Sequence, residues 1–172
     1  MYERDSFAAT CGPTFIKQLL GKTVRLEVRT RLTPYRREQL MAREFDIGVT
    51  TDACEWLEGM TARCIFSESF IVLTPRSVKA NRYSRDSLLQ RAAFTPFIRF
   101  NSQSHLGAQV ETLLKRLGIK APKRLEVDTA DTLVAMVAAG LGLAITTPSC
   151  LVQGMQHAAA VRVGMLDNIE AG

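Results

Sequence analysis

The chain has 172 residues, of which 47% are hydrophobic and 23% charged, as is typical of one large globular domain or two small lobes. No apolar run approaches the roughly 18 residues that a membrane-spanning helix needs, and the N-terminal MYERDSF lacks the apolar core of a secretory signal. The net charge of +5 suggests a nucleic-acid partner, but the arginines are dispersed and lack interleaved aromatic residues, so an anionic small ligand or an acidic partner surface fits as well.

Alternating helices and strands are predicted in the first half of the chain. Pro13 suits a first helical turn and Gly21 a helix end, while TVRLEV alternates apolar and charged residues like a strand with one wet face. The predicted apolar stripe of the first helix is Phe15, Ile16, Leu19 and Leu20. The predicted elements are an opening strand at Met1-Tyr2, helix 12–21, strand 23–28, helix 33–44, strand 45–51 and an extended stretch at 64–75.

The second half continues the alternation. Ser84 and Thr129 are predicted helix N-caps, and Gly118 ends a helix with one apolar face. The predicted elements are helix 84–92, strand 96–100, helix 106–118, strand 124–128, helix 129–140, strand 141–148, a short helix near 149–154 and strand 161–166. This order predicts an α/β fold with a largely parallel sheet and helices on its faces.

The stretch LVAMVAAGLGLAITTP (133–148) joins a small-residue helix directly to a buried strand. Gly140 is predicted to end the helix at positive φ, and Gly142 to let the backbone pass close to a neighbour. The same glycines resemble part of a dinucleotide fingerprint, but that fingerprint follows a strand and opens a helix, and its third glycine is missing here. NAD or FAD binding is therefore excluded.

Cysteine usage predicts the compartment. Cys11, Cys54, Cys64 and Cys150 are scattered without a CxxC pair, which offers neither a zinc site nor a disulfide framework. Idle or buried thiols are typical of a reducing cytoplasm. We expect a cytoplasmic chain with no metal and no cofactor.

Four stretches in order resemble the effector-binding domain of LysR-type transcriptional regulators. They are LVAMVAAGLGLAITTP, LMAREFDIGVTTD (40–52), CIFSESFIVLTP (64–75) and RFNSQSHLGAQVETLLKRLGI (99–119). Arg43 stands where the family has glycine. The resemblance implies a type 2 periplasmic-binding-protein fold: two Rossmann-like lobes joined by a double crossing, with a ligand cleft between them. Lobe I would comprise residues 1–75 plus 164–172, and lobe II residues 76–163.

The resemblance also implies partners. The family's N-terminal winged helix-turn-helix is absent from this sequence, so DNA would be bound only through that missing domain. The domains are expected to pair into a homodimer or tetramer through the helix near 13–20, with Phe15, Ile16 and Leu19 partly in the interface. Burial of these residues within one subunit is the rival interpretation.

The ligand site is predicted from the loops that follow strands. In an open α/β fold these loops carry free N–H groups and the positive ends of helix dipoles, which favour a carboxylate or another small anion. The resemblance points to Ser or Thr near Ser6, Thr33 and Ser104 or His105. The predicted ligand-binding residues are Ser6, Arg31, Thr33, Thr50, Ser102, Ser104, His105, Thr129 and Thr146. Helix capping is the alternative role of the hydroxyl residues, and a solvated surface position that of Arg31.

The leading functional hypothesis is a binding module, the effector-sensing domain of a bacterial transcription regulator. A solute-binding receptor of a transport system with the same fold is the alternative. A small α/β enzyme is disfavoured, because no GxSxG, HExxH or P-loop is present and a Cys11–His105 pair would lack a third, orienting residue. No catalytic residue is predicted.

Overall fold

The computed structural model describes residues 2–3, 10–23, 25–30, 42–49, 61–121 and 124–167. The chain forms two compact units, Met1–Ser67 and Glu68–Gly172. The lobe boundaries near residues 75 and 164 stay a prediction. Both units fit the predicted α/β class, and no helix within the described ranges is long and apolar enough to cross a membrane.

The described residues of the first unit include a short parallel strand pair and a helix. Strand β1 (Tyr2–Glu3) pairs with β2 (Arg29–Thr30), and helix α1 (Gly12–Leu20) lies between them in the chain. The predicted helix 12–21 is confirmed, with Pro13 in its first turn. In the predicted apolar stripe, Phe15, Ile16 and Leu19 are half-buried. Leu20 is 56% exposed, so its prediction as part of a buried stripe was wrong.

Two predicted strands of the first unit differ from the structure. Residues 25–28 are irregular, and β2 begins only at Arg29, which pairs with Tyr2 of β1. The strand predicted at 45–51 shows a single bridge at Gly48 within its described part, 45–49. The helix predicted at 33–44 falls mostly outside the described residues.

The second unit is built on a mixed sheet. Its strands are β3 (Ile71–Pro75), β4 (Arg82–Tyr83), β5 (Ile98–Phe100), β6 (Leu125–Val127), β7 (Ala144–Thr146) and β8 (Val161–Leu166). Four of them form a sheet in the order β4-β8-β3-β7. The separate β5–β6 pair meets β7 through a parallel bridge between Phe97 and Leu143.

Strand β3 runs against both of its neighbours. Ile71 pairs with Thr146 of β7 and Pro75 with Val161 of β8, both antiparallel, whereas β4–β8 and β5–β6 are parallel. The prediction of a largely parallel sheet holds for β4, β5, β6, β7 and β8, which run in one direction, and the direction of β3 is the exception among the described strands. Strand direction depends on how the chain connects its strands, and the apolar pattern of a buried strand is the same in either direction.

Helices follow the strands of the second unit. They are α2 (Arg85–Phe94), α3 (His105–Arg116), α4 (Ala130–Ala138), α5 (Pro148–Gln153) and a 3-10 helix (Met155–Ala160). The Ser84 and Thr129 side chains accept backbone N–H bonds from Ser87 and Thr132, at 3.2 and 3.3 Å, so both predicted N-caps are confirmed.

The joint between α4 and β7 has the geometry that its two glycines predict. Gly140 has φ of 81°, a left-handed conformation that favours glycine. A Cβ on Gly142 would lie 2.3 Å from the backbone oxygen of Pro96, so only glycine lets the chain pass there. The bridge to Phe97 and the whole register of β7 against β5 depend on this close approach.

The hydrophobic core of the described residues lies in the second unit. Helix α4 is central to it, since Leu133, Val134 and Val137 are fully buried. The core extends in sequence from Ile71 to Val161 and therefore includes every strand from β3 to β8.

Candidate functional site

Three strands of the second unit end at one edge. Strands β5 and β6 are parallel, with Phe100 opposite Val127, and the Phe97–Leu143 bridge makes β7 parallel to β5. The residues that follow these strands are polar: residues 101–105, 128–129 and 147. This polar edge also carries the N-termini of α3 and α4.

Asn101 ties two loops of the polar edge together. Its side-chain Nδ2 donates to Asp128 Oδ1 at 3.1 Å, and its Oδ1 accepts the backbone N–H of Gln103 at 3.0 Å. Its own N–H donates to the carbonyl of Val127 at 3.0 Å, which continues the β5–β6 pairing. Asn101 therefore joins the loop that follows β5 to the loop that follows β6.

Ser104 caps helix α3. Its Oγ donates to the carbonyl of Asn101 at 2.7 Å and accepts the N–H of Gly107 at 3.0 Å. A Cβ on Gly107 would lie 2.1 Å from that same carbonyl, so the tight turn requires glycine at this position. The capping role of Ser104 is therefore present, and ligand contact by Ser104, which capping does not exclude, stays a prediction.

The other predicted residues of this region lie close by in the chain. Ser102 is exposed in the loop, and His105 is the half-buried first residue of α3. Thr129 caps α4, and its Oγ1 donates to Thr132 Oγ1 at 2.8 Å. Ser102, Ser104, His105 and Thr129 are thus assembled on one edge.

Thr146 ends β7 at the same edge and is fully buried. Its Oγ1 has no hydrogen-bond partner among the described residues. A buried hydroxyl without a partner costs about 1–3 kcal/mol, so a ligand or a water that reached it would be favoured. A ligand-binding role for Thr146 stays a prediction.

Glu68 is a feature of the edge that the sequence did not reveal. Its Oε1 accepts from both the backbone N–H and the Oγ of Ser149, at 2.8 Å each, across 81 residues. The carboxylate thereby satisfies the first turn of α5. Asn101 and Asp128 belong to loops that were expected to reach a ligand, although neither was among the predicted ligand-binding residues.

The remaining predicted site residues are Ser6, Arg31, Thr33 and Thr50, and they lie outside the described residues. In the described ranges Cys11, Cys64 and Cys150 are free thiols, and no group of three metal-binding side chains could hold an ion.

Comparison with known proteins identifies the family. A sequence profile described as the LysR substrate binding domain matches residues 5–165. No curated protein matches the chain.

Solved structures share the fold at low identity. They include the Synechocystis PCC6803 CcmR regulatory domain in complex with 2-PG (TM-score 0.74, 16% identity, covering 96% of this chain and 79% of that one). The H2O2-bound C206S mutant of Corynebacterium glutamicum OxyR is also similar (0.73, 16%, 96% and 52%). A further relative is the effector binding domain of QuiR in complex with shikimate (0.66, 13%, 98% and 80%).

The chain thus spans about half of the OxyR chain and most of the two regulatory domains. The profile match covers nearly the full sequence, and the similar structures have the same two-lobed class of fold. The chain therefore belongs to the LysR substrate binding domain family, the effector-binding domains of LysR-type transcriptional regulators.

Proposed function

We propose that this chain senses a small organic acid and so controls DNA-dependent transcription through a DNA-binding domain outside it. The effector would bind at the polar edge of the second unit, in the interlobe cleft that the family resemblance predicts. The domain would act without catalysis, in the cytoplasm, as part of a homodimer or tetramer. Family membership favours this function over a solute-binding receptor of a transport system.

The observation that carries the proposal is the polar edge with Thr146 at its base. Three strand ends bring hydroxyl and amide groups together there, and the buried Thr146 hydroxyl lacks a partner among the described residues. Ligands in α/β folds bind at this end of the strands. The complexes of CcmR with 2-PG and of QuiR with shikimate support a small-molecule effector.

The charges of the edge indicate what kind of molecule would bind. The N-termini of α3 and α4 favour a carboxylate through their free N–H groups and helix dipoles. Asp128 is exposed on the same edge and accepts hydrogen bonds. An acid that also carries a hydroxyl donor would satisfy both features, so we propose a hydroxy acid as the effector class.

A thermal-shift screen of hydroxy acids, each paired with its analogue lacking the hydroxyl, tests the proposal. A ligand at a hundredfold its Kd adds about 2.7 kcal/mol to the free energy of unfolding. For a chain of this size the melting temperature then rises by about 5–10 °C. We expect hydroxy acids to give the larger rise.

Variants at two buried threonines locate the binding site. Thr146→Val should weaken the effector at least tenfold, because it removes the hydroxyl at the base of the polar edge. Thr74→Val is the control at a second buried threonine: Thr146 pairs with Ile71 at the start of β3, whereas Thr74 lies near the end of β3, where its Oγ1 accepts from the Tyr83 hydroxyl at 3.5 Å. Equal binding by the parent and Thr146→Val, or no response to any acid, would contradict the proposal.

A further inference from the structure

A shallow depression of about 380 Å³ lies on the second unit, away from the polar edge. It is lined by Arg76, Asn81, Val161, Arg162 and Val163. Thr146 pairs with Ile71 at the start of β3, whereas Val161 pairs with Pro75 at its end. At about 3.3 Å per residue, the length of β3 separates the two regions by roughly 13 Å.

The depression exists because β4 is short. Strand β4 pairs with Met165 and Leu166 of β8, and the carbonyl of the preceding Asn81 accepts the N–H of Met165 at 2.9 Å. Residues 161–163 of β8 therefore have β3 on one side and no described strand on the other. The result is a notch in the sheet, which we call the β8 notch.

Two arginines give the β8 notch its chemistry. Arg162 Nη1 donates to Asn81 Oδ1 at 3.2 Å, and Arg76 Nη1 donates to the carbonyl of Ala159 at 2.9 Å. Each guanidinium has five N–H donors, so most of them remain available. The Arg162 Nε is buried and has no acceptor within the described ranges.

No carboxylate balances these two charges in the part of the chain that the structure describes. Neither Arg76 nor Arg162 forms an ion pair there. Asp167, which follows β8, is already held by Arg82 at 2.6 Å. Two guanidinium groups that line one depression and have no carboxylate partner among the described residues are an arrangement that suits the geometry of an oxyanion.

We propose that the β8 notch binds a small oxyanion, with phosphate as the reference ligand. Arg162 would donate from its remaining Nη groups and Arg76 from its Nη2 and Nε groups, with Asn81 orienting Arg162. The ligand could be inorganic phosphate or the phosphate group of a small metabolite. This site is separate from the proposed effector site and does not depend on the identity of the effector.

Arginine side-chain NMR of the 172-residue chain tests the proposal directly. Inorganic phosphate and glycerol phosphate are titrated at pH 7 against sodium chloride of matched ionic strength. We expect the Arg162 Nε–Hε signal to move with a saturating, millimolar curve for the phosphates and not for chloride. Tighter binding of glycerol phosphate would identify a phosphorylated metabolite, and equal binding would identify the free ion.

Variants distinguish the β8 notch from general charge effects. Arg76→Gln should weaken the phosphate response about tenfold while Arg162 still reports on it. Arg124→Gln removes the same charge from an exposed position away from the notch, and Thr146→Val alters the polar edge, so both should leave the response unchanged. An unsaturable response, one shared by chloride, or one unaffected by Arg76→Gln would overturn the proposal.

Discussion

Arg43 holds a backbone conformation that suits glycine better than arginine. Its φ is 54°, and it is the only residue other than glycine with positive φ among those described. This explains in physical terms why the resembling family has glycine here, because a side chain in this region costs about 1–2 kcal/mol. The exposed side chain of Arg43 offers little packing in return.

We predict that Arg43→Gly stabilises the chain by about 0.5–1 kcal/mol, since the relief of strain exceeds the entropy cost of an added glycine. Urea denaturation of the parent and the variant measures the difference. Arg25→Gly is the matched control, because Arg25 is equally exposed and has no positive φ, so it should be neutral or destabilising. A loss of stability in Arg43→Gly would contradict the strain argument.

Residue-scale features differ in how visible they are in the sequence. The roles of Gly140 and Gly142 were predictable because glycine between a helix and a buried strand indicates either positive φ or a close backbone approach. Thr146 was predicted to face a ligand, yet nothing in the sequence could show that its hydroxyl lacks a partner. Its isolation depends on which groups of β3 and β5 surround it, and these come from distant parts of the chain.

An ion pair inside the second unit joins a strand to a helix. Arg99, in the middle of β5, is 6% exposed, and its Nη1 donates to the Glu111 carboxylate of α3. Its Nη2 donates to the carbonyl of Ala121, beyond the end of the same helix. The pair therefore fixes α3 on β5 and positions the loop that leads to β6.

Removing one partner of this pair should be costly. We predict that Glu111→Ala lowers the free energy of unfolding by about 3–5 kcal/mol, because it leaves a buried guanidinium without its carboxylate. The double variant Arg99→Met/Glu111→Leu should recover most of this loss, since an apolar pair of similar volume avoids the desolvation of both charges. Urea unfolding of the two variants decides the matter, and a loss below about 1 kcal/mol in Glu111→Ala would refute it.

At the scale of elements, helix ends were easier to predict than sheet order. Ser84 and Thr129 were recognised as caps because the interaction is local, spanning three residues. The direction of β3 was not recognised, because its run of apolar residues is equally compatible with parallel and antiparallel neighbours. The strand predicted at 23–28 is irregular over 25–28. Alternation of apolar and charged residues indicates which face of a strand is exposed to solvent, but it does not show how far a partner strand extends beside it.

At the scale of the whole molecule, the polar edge was partly predictable from the sequence. Polar residues after β5, β6 and β7 were expected to meet once those strands were parallel, and the structure assembles Ser104, Thr129 and Thr146 on one edge. The contact of Glu68 with Ser149 joins positions 81 residues apart and leaves no local pattern. Long-range contacts of this kind depend on the folded chain path, which periodicity does not encode.

The second unit contains a hydrophobic core of its own. Its hydrophobic core includes only residues from Ile71 to Val161, and Glu68 anchors the start of the unit on α5. We predict that a fragment of residues 68–172 folds alone, because it loses none of the buried core. The fragment should unfold in one cooperative thermal transition, followed by near-UV circular dichroism.

The hydrogen bonds between Glu68 and Ser149 provide a control for the stability of this fragment. Glu68→Ala should lower the stability of the fragment by about 1 kcal/mol, because the first turn of α5 loses a charged acceptor. Amide signals of α3 and α4 in the fragment should coincide with those of the full chain. A fragment without a cooperative transition would mean that the first unit contributes stability that the core of the second does not supply, and the division of the chain into separately folding units would be wrong.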